Sequence, residues 1–212
     1  MKIMSFNVGI WSRNWKKSDP FFWIPRMKAM KKMLKDQDPD VVCFQELWFP
    51  ATLFIPGNYR KVLGSGLEHP IYVKKGTRHG LGKFRIHWSE CVVEGVKVFS
   101  VHGHWTEKIY KKIFESLKKE YGKDSRPAVL TGDWNVDLNT IKVNAPELVS
   151  AREELGRLEQ DTYIHFHDHS RRGELDHFMN IGVEPKDFEI VNDAYGAPKD
   201  RISDHYPINM VI

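Results

Sequence analysis

The segment VLTGDWNVD, Val129 to Asp137, decides how this chain is read. With Pro127 and Ala128 before it, the apolar run has the length of a buried strand. It breaks at Gly132, and Asp133, Trp134 and Asn135 follow at once. Glycine, aspartate and asparagine together are turn residues, because they reach left-handed backbone or bond their own main chain. A carboxylate and an amide at a strand tip are equally the raw material of a site. In an extended segment Asp133 and Asn135 share a side and Trp134 points the other way, toward packing, with substrate stacking as the alternative. Alone, the segment leaves turn and site open.

Other strands finish the same way. MSFN ends at Asn7, VVCFQE at Gln45 and Glu46, and VFSVHGH near His102 and His104. ELDHFM carries Asp176, and ISDHYPI carries Asp204 and His205 before the last strand. Each alone reads as a turn or cap. Gathered on one rim, they make a cluster of acids with amides and histidines. Acids in one cleft repel and raise one another's pKa, so a cation is expected among them. Oxygen donors without thiolates suit Mg²⁺ or Mn²⁺ rather than zinc.

Between these tips, Met27, Met30 and Leu34 recur at helical spacing over about 25–35, and the Asp-Pro-Asp at 38–40 closes that helix. Ile109, Ile113 and Leu117 line one face of the clearest helix, 106–121, with lysines elsewhere. APELVSAREELGRL, 145–158, reads as a further helix with proline early in it. PIYVKK, KFRIHW, FEIVND and PINMVI read as strands. Strands outnumber helices and the helices are interspersed, which gives sheets with helices packed outside them in one domain, 1–212.

The chain has 212 residues, 41% hydrophobic and 28% charged, ordinary for a globular protein. No apolar run is long enough to span a bilayer, so stable membrane insertion is not expected. MKIMSFNV lacks the long apolar region of a signal peptide, and the expected location is cytoplasmic. The two cysteines, Cys43 and Cys91, read as buried free thiols and are too few for a four-cysteine zinc site. A net charge of +4 and a pI near 8.9 permit a polyanionic partner.

The ordered set SFNV, PDVVCFQE, VFSVHGH, TGDWNVD, ELDHF and SDHYPI resembles the endonuclease/exonuclease/phosphatase superfamily, with its pancreatic-DNase-like fold. The resemblance runs from Asn7 to Pro207. It implies a four-layer α/β/β/α sandwich of two mainly antiparallel mixed sheets, with the site at one end. It also implies roles. Glu46 would bind the metal, with Asn7 beside it and Asp204 approaching it directly or through water. Asp133 would orient or deprotonate the attacking water, and Asn135 would donate to phosphate oxygens. His205 would bind the scissile phosphate, with Asp176 favouring its charged form. His102 would assist the leaving oxygen, with His104 as its rival two residues on. Relatives usually carry tyrosine after the aspartate where His177 stands here. The next residue along a strand turns to the other face, so this departure is tolerable.

The implied activity is Mg²⁺-dependent phosphodiester hydrolysis by direct water attack, with Mn²⁺ as an alternative ion. Nucleic acid is the first expected substrate. A phospholipid or small phosphoester is the alternative, and a non-catalytic binding protein on the same scaffold is a second. The loop GIWSRNWKKSDPFFW mixes rings with cations, a surface on which single strands stack, and brings Trp11 near Asn7. A loop tucked against the sandwich or dipping into a membrane are its other readings. In HFHDHS, His165, His167 and His169 alternate, and with Arg171 beyond them they are candidates for phosphate or substrate contact, a second metal site and plain surface being the other readings. Segments typical of inositol-polyphosphate phosphatases and abasic-site endonucleases are missing after GDWN. The expected state is a monomer.

Overall fold

A computed structural model describes residues 1–9, 23–47, 49–165, 170–191 and 202–212. The elements, in chain order, begin with β1 (Lys2–Asn7), α1 (Trp23–Gln37), β2 (Val41–Gln45), α2 (Phe49–Thr52), β3 (Tyr59–Lys61) and β4 (Ile71–Lys74). Then come β5 (Lys83–Arg85), β6 (Trp88–Val93), β7 (Val96–His102), α3 (Glu107–Tyr121), β8 (Ala128–Asp133) and α4 (Leu138–Asn144). The chain continues with β9 (Val149–Ser150), α5 (Ala151–Glu154), β10 (Tyr163–Ile164), β11 (Arg172–Gly173), β12 (Asp176–Ile181), β13 (Asp187–Ile190) and β14 (Ile208–Val211).

Two six-stranded sheets result, ordered β13-β14-β1-β2-β4-β3 and β5-β6-β7-β8-β12-β9. Within them β1 with β2 and β7 with β8 run parallel, and the other pairs are antiparallel. The sheets stack on a shared core of Ile3, Val41, Val73, Val98, Val129 and Phe178. The outer face of the first sheet packs Met4, Phe6, Val42 and Phe44 on Met27, Met30, Met33 and Leu34 of α1. That of the second packs Phe99, Leu130 and Met179 on Ile113, Phe114 and Leu117 of α3. Helices therefore flank both sheets, as the α/β sandwich expectation required. No described helix is long and apolar enough to cross a membrane.

Side chains alternate across a strand, and the strands bordering the interior carry a common gradient along it. Its apolar layer is Ile3, Val41, Val98 and Val129, with Ile3 paired to Val41 and Val98 to Val129. Two residues on come Ser5, Cys43, Ser100 and Thr131, all buried. Two further on come Asn7 paired with Gln45, and His102 paired with Asp133. Gln45 Nε2 donates to Ser100 Oγ at 3.1 Å, joining the sheets just beneath the rim. The interior thus passes from hydrocarbon to hydroxyls to acids and histidines over four residues, and a polar rim forms at this end.

One helix differs from expectation. Residues 145–158 hold only the four-residue α5, while the seven-residue α4 lies ahead of them. Asp137 caps α4 by accepting the Thr140 amide at 2.7 Å. Val149 and Ser150 pair instead with β12, and Ser150 then caps α5. Sheet pairing at the β12 edge overrides the helical propensity of that stretch.

Candidate active site

Asp133 is the hub. It is 2% exposed at the tip of β8. Its Oδ2 accepts from Asn7 Nδ2 at 2.9 Å and from Asn135 Nδ2 at 3.1 Å. The same oxygen lies 3.7 Å from His205 Nε2 and 4.0 Å from His102 Nε2. Four of the residues singled out in the sequence therefore meet at the Asp133 carboxylate. Glu46 joins them, 3.3 Å from Asn7 Nδ2 and 3.6 Å from His102 Nε2.

Two of these residues reach the cluster by breaking strand alternation. Glu46 has φ of 54° and Asn135 has φ of 54°. Left-handed backbone is uncommon outside glycine and marks a place where surroundings hold the chain against its preference. After Gln45, which points between the sheets, strict alternation would send Glu46 to the outer face; the turn brings it beside Asn7. Asn135 is likewise turned back, its amide N–H donating to Asp133 Oδ1 at 2.9 Å. Its shared side with Asp133 comes from this turn, not from an extended segment. Trp134 points away, 2% exposed, and stacks on Phe114 at 5.5 Å.

Gly132 serves strand packing. At φ of 149°, a Cβ there would lie 1.9 Å from Val101 O of the neighbouring strand. Its role is close approach of β8 to β7. Gly9, at φ of 64°, would place a Cβ 2.7 Å from both Asp204 Oδ1 and Ser203 Oγ.

His205 is held from two sides. Its Nδ1 sits 2.8 Å from Asp176 Oδ2, and both side chains are nearly sealed from water. Nε2 is thereby aimed at Asp133. Burial opposes charge on this ring, but Asp176, Asp133 and Asp204 outweigh it and hold the imidazole protonated well above its usual range. The hairpin β10–β11 clasps the segment: Tyr163 bridges His205, and its ring lies 4.9 Å from the imidazole. Asp204 is 7% exposed, with Oδ1 3.4 Å from Ser203 Oγ. His102 balances burial against Glu68, Asp133 and Glu46, with a net rise in pKa. His177 faces away from the cluster, 3% exposed, with Nε2 3.2 Å from Val136 O.

Two expected residues lie elsewhere. His104 falls past the end of β7, where its Nδ1 accepts the Thr106 amide and its ring stacks on Trp105 at 4.4 Å. It therefore does not share a strand face with His102. Arg171 is exposed beyond β10, and its carbonyl accepts the His165 amide. Trp11, like His167 and His169, lies outside the described residues.

Two residues were missed. Glu68 Oε1 lies 3.6 Å from His102 Nδ1, opposite Glu46. Thr162 is fully buried, and its Oγ1 accepts the amides of Leu175 at 3.0 Å and Asp176 at 2.9 Å. Neither stands in a spacing that marks it in the sequence.

The donor set at the rim is carboxylate and amide oxygen. Among the described residues no group of three or more His, Cys, Asp or Glu side chains is arranged to hold a metal by itself. Carboxylate and amide oxygens are donors that a hard divalent cation accepts.

A sequence profile described as the endonuclease/exonuclease/phosphatase family matches residues 21–205. The chain belongs to that family. Its members are hydrolases of phosphoester bonds and typically use divalent metals. The fold is similar to that of a humanized D. rerio TDP2, with a TM-score of 0.78 at 16% identity, covering 99% of this chain and 97% of that one. It is also similar to a mannosyl-6-phosphatase from Bacteroides thetaiotaomicron, with a TM-score of 0.71 at 16% identity, covering 100% and 98%. A truncated TDP2 from Caenorhabditis elegans matches with a TM-score of 0.69 at 18% identity, covering 99% and 95%. Identities this low establish the fold and assign no substrate. None of the curated proteins matches the sequence significantly.

Proposed function

We propose that residues 1–212 act as one catalytic domain, a Mg²⁺-dependent phosphodiesterase that cleaves nucleic acid by direct attack of water. The observation that carries this reading is the meeting of Asn7, Asn135, His102 and His205 on the single buried carboxylate of Asp133, with Glu46 beside them. Phosphoester hydrolysis needs a base at the water, cations and donors on the phosphate, and an acid at the leaving oxygen.

Asp133 takes the first role. Its Oδ2 is the acceptor nearest all the surrounding donors, so a water entering the cluster is oriented by it and passes a proton to it. His205, charged and steadied through Nδ1 by Asp176, offers Nε2–H to a non-bridging oxygen. Asn135, fixed by its left-handed turn, adds an amide donor for the charge that develops there. His102, flanked by Glu46 and Glu68, gives a proton to the departing oxygen. Glu46 would hold Mg²⁺, with Asn7 steadying it and Asp204 nearby. When bound, the ion supplies charge neutralisation on the phosphate. Positioning contributes much of the rate, since every group is anchored by a strand tip or a buried partner.

Nucleic acid is favoured by the basic balance of the chain. The test is a Mg²⁺-containing substrate panel of duplex DNA, single strands, RNA, a choline phospholipid, a sugar phosphate and a chromogenic phosphodiester. Nicking or trimming of nucleic acid, abolished by EDTA and by Asp133→Ala, is the expected result. Intact nucleic acid with turnover of the lipid or the sugar phosphate overturns the substrate assignment. Binding of nucleic acid with no turnover of anything overturns catalysis itself.

A further inference from the structure

A cavity of about 490 Å³ opens beside the rim, walled by Leu47, Phe49, Leu67, Pro70 and Tyr72. Pockets of a few hundred Å³ lined by apolar side chains are the usual seats for flat organic groups. Two features tie this one to the cluster. Leu47 directly follows Glu46, so the cavity begins where the acid ends. Glu68 belongs to both: it lines the cavity and lies 3.6 Å from His102 Nδ1. The cavity therefore adjoins the His102 side of the cluster, across Asp133 from the Asp176–His205 pair.

We infer that this cavity receives a nucleobase of a single-stranded substrate, on the leaving side of the scissile phosphate. The inference rests on the nuclease reading given above. Phe49 and Leu67 are 74% and 81% exposed, an apolar surface that water does not favour and that gains from a covering ring. Tyr72, edge-on to Phe44 at 5.7 Å, gives the cavity an aromatic wall. Few polar groups line it. Glu68 faces His102, leaving Lys61 at one side and the hydroxyl of Thr52. A wall so poor in donors and acceptors cannot read a base edge, so it accepts any base by its face. Lys61 supplies a cation for a flanking phosphate of the same strand. Acceptance of a base face by an open apolar cavity also favours an unpaired base, because a paired one keeps its faces in the stack.

The experiment uses short single-stranded oligonucleotides with one hydrolysable linkage, the others being blocked as methylphosphonates. The nucleotide on the leaving side carries either its base or an abasic tetrahydrofuran. Wild type and the double variant Phe49→Ala/Leu67→Ala are compared by kcat/KM in Mg²⁺. Both changes are at exposed positions, and equal thermal unfolding of the two proteins controls for folding. Wild type is expected to prefer the base-bearing substrate by about tenfold, the scale of one base stacked on apolar and aromatic side chains. The variant loses most of that preference while cleaving the abasic substrate at the wild-type rate. Turnover without base preference, or an equal loss on both substrates, overturns this inference and leaves the nuclease reading standing. No turnover of either substrate, with hydrolysis of a lipid or sugar phosphate, overturns both.

Discussion

Acidifying the protein should separate two buried groups that lie behind the cluster and titrate in opposite senses. His177 lies on β12 opposite Gly132 of β8, with Nε2 near Val136 O, and there burial, with Arg152 adding to it, lowers its pKa from 6.5 to about 4. Glu174 lies 3.7 Å from it and 2.7 Å from Arg152 Nε, and burial raises its pKa from 4.5 to about 7. The other charge facing His177 is Asp133. Between pH 4 and 6.5 the unfolded chain protonates His177 and the native protein does not, so stability from this group rises with pH. It is fully present above 6.5 and lost as pH falls through about 4. The span is about 2.5 tenfold steps at 1.36 kcal/mol each, or roughly 3 kcal/mol. Glu174 works the other way: its contribution is present below 4.5 and lost as pH rises through about 7. The two slopes oppose each other over most of one window, so the wild-type profile is flattened there. Glu174→Gln removes one slope and exposes the other. Urea unfolding at half-unit steps from pH 4 to 7 measures this, with the double variant Glu174→Gln/His177→Gln subtracting the carboxylates elsewhere. Glu174→Gln should gain up to roughly 3 kcal/mol across the window relative to that double variant. Parallel profiles for the two would refute a neutral His177 buried against its titration.

Glu46→Gln should raise the Mg²⁺ concentration needed for half-maximal rate, and a metal titration of activity checks it; an unchanged midpoint removes Glu46 from the metal site. Gly9→Ala should lower both the melting temperature and the rate, with strain alone near 1–2 kcal/mol at a left-handed backbone and the new methyl pressing on Asp204 and Ser203. Thr162→Val leaves the Leu175 and Asp176 amides without their acceptor, at about 1–3 kcal/mol for each buried group, whereas Thr162→Ser restores both; chemical denaturation distinguishes them.

Sheets with helices packed outside them were legible in the sequence because strand alternation and helical spacing are local, while the four-layer sandwich was implied by the family resemblance. The strand tips were legible for the same reason: an apolar run that stops at Asp133 or Glu46 shows where a rim must be. The helix expected over 145–158 failed because Val149 and Ser150 are claimed by a strand distant in sequence. Glu68 and Thr162 were invisible, since what makes them matter is a partner 34 residues away for Glu68 (Glu68 to His102) and 14 residues away for Thr162 (Thr162 to Asp176). Asn135 shows a right position reached for a different reason. Its side of the chain was inferred from extended geometry, while a left-handed turn puts it there.

The place of β14 has a consequence for biosynthesis. It lies between β13 and β1, and the register couples Lys2 to Val211. Asn7 ends β1, and His205 stands three residues before β14 begins. A ribosome therefore releases Asn7, Glu46, His102 and Asp133 long before His205 and the strand that follows it have emerged. Until then β1 has an open edge, and the Asp133 carboxylate lacks the cation that faces it. A nascent chain therefore holds an incomplete rim until β14 has emerged and paired with β1 and β13.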